Sequence, residues 1–241
     1  MGILDIFGGS GPQKARKLKS KVTQKYGDPT ARQKAISQLG EMNIPEATSS
    51  LLARFNITVE PLTTDADEKE HVFELISARG SSAVDSVKQF LRTSDSSSSW
   101  AMRLLSALLP EPELIAVGVE LLHRLGATYT RDPEKKMVLI HFLTGKDDPR
   151  IAPALLPFLE DMSDDVKIAA IKALGPLKYE AAREPILALL TAEETARRVQ
   201  TAAIAALYDS GFGVQGYREK VESLLADPYF VDRAGIVKKR G

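Results

Sequence analysis

Three apolar side chains at positions x, x+1 and x+4 recur six times along this chain, and this pattern limits its fold more than any other feature. The instances are Ala35-Ile36-Leu39, Val72-Phe73-Ile76, Leu104-Leu105-Leu108, Leu139-Ile140-Leu143, Ala170-Ile171-Leu174 and Ala203-Ile204-Leu207. Successive starts lie 37, 32, 35, 31 and 33 residues apart. At 3.6 residues per turn, the three positions share one helix face. An i, i+3, i+4 pattern lies between them in Val87-Phe90-Leu91, Leu155-Phe158-Leu159, Ile186-Leu189-Leu190 and Val221-Leu224-Leu225, and more loosely in Leu51-Phe55 and Leu121-Leu125. Each period therefore reads as helix, short turn, helix. One such hairpin cannot bury its apolar face alone, whereas stacked hairpins share a core. The expected fold is an all-α solenoid of about six hairpins.

The punctuation agrees. Asp28-Pro29 and Asp132-Pro133 read as an N-cap followed by proline in the first turn, and Ser163-Asp164-Asp165 takes that place in the fifth unit. Gly40, Gly145 and Gly175 stand where first helices should end. Pro45, Pro153 and Pro185 fall in the first turns of second helices. Residues 56–62 read as an extended connector, and no stretch alternates long enough to predict a sheet.

The run Asp164-Asp165-Val166-Lys167-Ile168-Ala169-Ala170-Ile171-Lys172-Ala173-Leu174-Gly175 resembles the first helix of a HEAT repeat, in the short bacterial, phycobilisome-lyase-like form. Residues 197–207 and 28–36 are weaker copies, and the resemblance extends over about residues 28–226. It implies a right-handed α-solenoid of HEAT-like helical hairpins whose second helices line a concave face, usually used to bind another protein. The family also holds enzymes and chromophore-lyase subunits, so the fold alone does not decide function.

Composition removes several classes. The chain has 32 basic and 32 acidic residues, without the basic excess expected of a nucleic-acid binder. It has no cysteine, which excludes disulfides, thiolate zinc sites and thiol nucleophiles. His71, His123 and His141 lack metal-site spacing and read as helix-face residues; no metal and no cofactor are expected. No apolar run approaches the ~20 residues of a membrane span, the first residues lack a signal peptide's pattern, and Ile6 stands where a myristoylation signal needs Ser or Thr. Cytoplasmic localisation is expected.

Motifs with chemical potential favour plain readings. Residues 211–216 spell G-x-G-x-x-G, but follow a helix rather than a strand and read as a flexible interhelical loop. The acid pairs Glu111/Glu113, Asp147/Asp148, Asp164/Asp165 and Glu193/Glu194 fall at turns and helix starts, where they complement the helix dipole. Residues 94–99 read as a loop that caps the helix bearing Trp100, itself expected at a buried interface between repeats.

Two basic features are the candidate binding residues. The position three before each x is Arg32, Lys69, Ala101, Lys136, Lys167 and Gln200. Stacking could align its cations as a ladder for acidic partners or phosphates, or pair each with an acid of a neighbouring turn. At the N-terminus, the apolar cluster Ile3, Leu4, Ile6 and Phe7 precedes a glycine-rich hinge at 8–12. A helix over 13–26 follows, with Ala15, Leu18, Val22 and Tyr26 as its apolar stripe and Lys14, Arg16, Lys17, Lys19, Lys21 and Lys25 as its charge. Residues 1–26 thus form either a cap on the first hairpin or a docking segment for a partner or for the inner membrane surface. Residues 27–226 form the solenoid, and 227–241 a solvated basic tail. The expected function is a non-enzymatic scaffold or adaptor for a protein partner. The alternatives are a DNA-binding HEAT-like glycosylase or a chromophore-lyase-like chaperone subunit.

Overall fold

The computed structural model describes residues 10–94, 96–130 and 132–240, so the cluster Ile3, Leu4, Ile6 and Phe7 lies outside the described residues. Among the described residues are thirteen α-helices and one two-stranded sheet. The chain divides into two compact units, residues 1–114 and 115–241.

The first unit contains α1 (Gly11–Val22), α2 (Pro29–Gly40), α3 (Pro45–Leu52), α4 (Leu62–Ser77), α5 (Val84–Thr93) and α6 (Ser98–Leu108). Here α4 packs on both α2 and α6, while α3 packs on both α1 and α5. After α7 (Glu111–Leu125), the second unit continues with α8 (Glu134–Leu143), α9 (Ile151–Leu155), α10 (Asp164–Leu177), α11 (Arg183–Thr191), α12 (Arg197–Ser210) and α13 (Arg218–Leu224). There α10 packs on both α8 and α12, and α11 on α12 and α13.

All six x, x+1, x+4 triplets fall on the first helix of a hairpin: α2, α4, α6, α8, α10 and α12. Every triplet residue is buried except the half-buried Phe73, Leu108 and Ile204. Each buried Leu, Ile or Val contributes about 1.5–3 kcal/mol by leaving water, so this recurring face is what holds the layers together. The architecture is all-α hairpin repetition, as the period requires.

Local chemistry sets the helix boundaries. Asp28 accepts a hydrogen bond from the Thr30 N–H at 2.9 Å, with Pro29 opening α2, and Asp132 accepts from the Glu134 N–H at 2.9 Å. Gly145 takes φ +78° beyond α8, the left-handed region that favours glycine. Gly40 and Gly175 do otherwise: both are helical. A β-carbon on Gly175 would lie 3.1 Å from the Cα of Ala206, so this glycine lets α10 approach the α12 backbone.

Four expectations are corrected. Gly11 and Pro12 belong to α1 rather than to a hinge, and α1 ends at Val22, leaving Tyr26 84% exposed instead of in the apolar stripe. The C-terminal residues are no solvated tail: β1 (Tyr229–Val231) and β2 (Val237–Lys239) form an antiparallel hairpin with Val237 buried against α12. The glycine-rich segment at 211–216 is not a loose loop, because it buries Phe212 and Val214, and the Val214 N–H donates to the Gly235 carbonyl at 2.8 Å. Trp100 is half-buried, stacked on Phe55 with centroids 4.8 Å apart, and Ser97 donates its hydroxyl to the Phe55 carbonyl instead of capping α6. Helix α1 and the two strands are therefore not separate from the hairpins, since α1 packs on α2 and α3 and the strands pack on α12 and α13.

Candidate functional site

The cationic column turns inward. Arg32, 2% exposed, donates from Nε to Glu68 Oε2 at 2.6 Å and from Nη1 to the Gln24 carbonyl at 3.2 Å. Lys69 pairs with Asp65 at 2.7 Å. Lys136, 1% exposed, holds Asp161 at 2.6 Å and the Thr128 carbonyl. Gln200 donates to the carbonyls of Leu190 at 3.1 Å and Ala192 at 3.4 Å. Lys167 borders one open groove and Gln200 lines another. The column is therefore not an exposed ladder. At three of its six positions the side chain clamps the carbonyl eight residues upstream, although the donor is a guanidinium, an ammonium or an amide.

Sequence reasoning missed the centre of the first unit's ionic cluster, Arg54. Its side chain is fully buried and donates to Glu68 at 2.9 Å, Asp65 at 2.7 Å and the Ile57 carbonyl at 3.1 Å. A signal was present: a lone arginine inside the apolar run 51–55 must bring its own partners when buried. Burial alone would raise the Asp65 pKa. Hydrogen bonds from Lys69, Arg54 and the Val59 N–H outweigh it and hold the carboxyl below its ordinary range. Because the folded value is depressed, the stabilisation is complete above the unfolded carboxylate pKa of about 4 and is lost as pH falls through the folded one. Urea midpoints of the wild type and Asp65→Asn should therefore converge below about pH 4.

Other cations also brace neighbouring hairpins. Arg79 reaches the end of α2, donating to the Leu39 carbonyl and the Thr48 hydroxyl, each at 2.6 Å, and its burial lowers its pKa from arginine's usual value. Arg103 grips Glu70 bidentately at 2.7 Å and lies over the Phe73 ring at 4.1 Å. Arg198 holds both Asp164 and Asp165. The acid pairs do helix-start and turn work: Asp148 accepts from the Arg150 side chain and N–H, which lowers its pKa to about 2. His71, His123 and His141 are exposed. Among the described residues no group of three or more His, Asp or Glu could hold a metal, and no helix is long and apolar enough to cross a membrane.

Open space lies between successive second helices. In the first unit, Leu52, Ala53 and Asn56 face Gln89, Phe90 and Thr93 across a groove of about 250 Å³, with Lys19 at its edge. In the second, Leu159 and Glu160 face Pro185, Ala188, Leu189 and Ala192 across about 380 Å³, with Lys167 and Glu194 on the rim. Lys14, Lys17 and Lys21 stand elsewhere, exposed on α1.

These hairpins define a class of helical repeat protein. Residues 152–238 match the family model for HEAT repeats, the stretch that includes the copies at 164–175 and 197–207. A solved structure of human deoxyhypusine hydroxylase in complex with glycerol aligns over 88% of this chain and 93% of that one, at 14% identity and a TM-score of 0.32. At those values no property of that enzyme transfers to this chain. No curated protein matches the sequence.

Proposed function

We propose that the chain is a non-enzymatic cytoplasmic scaffold that receives a segment of a protein partner between successive second helices. The observation that supports this reading most is the groove between the turn at 156–160 and α11. Its floor is apolar and left unfilled by small residues, Ala188 and Ala192, while Glu160, Lys167 and Glu194 supply charge around it. An apolar floor with a few polar groups suits an apolar anchor residue carried on a polar peptide. Ala188 is exposed, so Ala188→Trp should fill the groove without disturbing the core. The variant is expected to keep its urea midpoint and to lose at least about tenfold in partner affinity, as removal of an anchor contact does. Unchanged partner cross-linking in this variant would sink the reading.

A further inference from the structure

Between residues 10 and 27 the chain carries six cations, Lys14, Arg16, Lys17, Lys19, Lys21 and Lys25, and no Asp or Glu. With 32 of each sign in total, the remaining sequence has 26 basic against 32 acidic residues. Five of the six, all but Lys25, lie on α1, so this helix of a chain with no net charge carries cations and no carboxylate. That helix has already used its apolar face: Ala15, Leu18 and Val22 are buried. α1 therefore cannot lie in a membrane interface by inserting an apolar stripe, and offers only its charged surface.

On that surface Lys14, Lys17 and Lys21 follow i, i+3, i+7 spacing and share one strip of the helix. All three are exposed, and none makes an ion pair or side-chain hydrogen bond with a described residue. The exposed Arg103 and Arg198, by contrast, both hold carboxylates. A strip of unneutralised ammonium groups adds long-range attraction to any dense anionic surface.

We propose that this strip docks the protein on an anionic phospholipid bilayer. Lysines near such a surface contribute roughly equal and cumulative attraction. A polybasic strip anchors stably only with a second, apolar signal. The sequence supplies one, Ile3, Leu4, Ile6 and Phe7, with Phe7 four residues ahead of Gly11. An acidic protein or a nucleic acid would use the lysines but has no comparable use for four apolar residues; a bilayer uses both.

The test is co-sedimentation of the full chain with vesicles of phosphatidylcholine alone or mixed with phosphatidylglycerol. Binding is expected only to the mixed vesicles and should weaken as salt rises. The triple variant Lys14→Gln/Lys17→Gln/Lys21→Gln should lose about a hundredfold in affinity with an unchanged helical melt. Lys34→Gln/Lys172→Gln/Lys220→Gln removes the same charge from exposed sites elsewhere and should lose much less. Leu4→Ser/Phe7→Ser should weaken binding to the mixed vesicles. The proposal is overturned by no retention on mixed vesicles, by equal retention on neutral ones, by an equal loss in the control triple, or by tighter binding to polyglutamate or DNA than to the mixed vesicles.

Discussion

Glu68→Ala is expected to lower the stability of the first unit by about 3–5 kcal/mol, the usual consequence of stripping one partner from a buried ionic cluster. One oxygen, Oε2, accepts from both Arg32 at 2.6 Å and Arg54 at 2.9 Å, while Oε1 has no partner. Truncation would leave two guanidiniums, 2% and 0% exposed, without their shared acceptor. Asp65 still serves Arg54, but Arg32 keeps only the Gln24 carbonyl. The measurement is convenient, because Trp100, the sole tryptophan, stacks on Phe55 beside Arg54 in sequence and reports this unit by fluorescence in urea. A loss below about 1 kcal/mol would mean that the cluster is solvated and contributes like a surface pair.

The second large effect is expected in the other unit. Lys136→Ala leaves Asp161, its side chain 3% exposed, facing a space that had held an ammonium group, and should again cost about 3–5 kcal/mol. The burial penalty comes from the stranded charge and not from the lost attraction alone. Lys136→Met combined with Asp161→Asn should therefore recover most of the loss, since the amide can still accept from the Ser163 N–H, which Asp161 now binds at 2.9 Å. Far-UV circular dichroism during urea unfolding would register both variants. A double variant no better than Lys136→Ala would locate the effect in the ammonium's other contacts, the Thr128 carbonyl and the Phe158 ring.

The repeat was legible because a helix that buries one face must repeat its apolar residues at helical spacing, and each of the six triplets lands on the first helix of a hairpin. The direction of the cationic column was legible in principle. A residue three before x lies on the same helix side as x itself, so Arg32 and Lys136 were bound to sit at the edge of the core. Pairing of each cation with an acid was one of the two readings the sequence offered, and Arg32, Lys69 and Lys136 are paired in this way. The C-terminal hairpin was not legible: strands of three residues are too short to show alternation, and the bridge of Gly213 to Ile236 beside them joins positions far apart in sequence. The grooves were not legible either. Ala188 and Ala192 look like ordinary helix formers, and the space they leave exists only once Leu159 stands opposite.

The eight-residue clamps made by Arg32, Lys136 and Gln200 have a consequence for where this chain can grow. Each clamp ties the donor's helix to a carbonyl upstream, at Gln24, Thr128 and Ala192, and so closes the connector between hairpins into a ring of fixed length. An extra residue inside such a ring would break the hydrogen bond or bulge outward. Lys69 and Lys167 have no clamp of this kind, and the longest and shortest repeat spacings, 37 and 31 residues, end at those two units. Insertions and grafted segments should be tolerated at the joint before Lys167 and rejected at the ringed ones, and also before Lys69, where Arg54 and Asp65 hold the Ile57 carbonyl and the Val59 N–H.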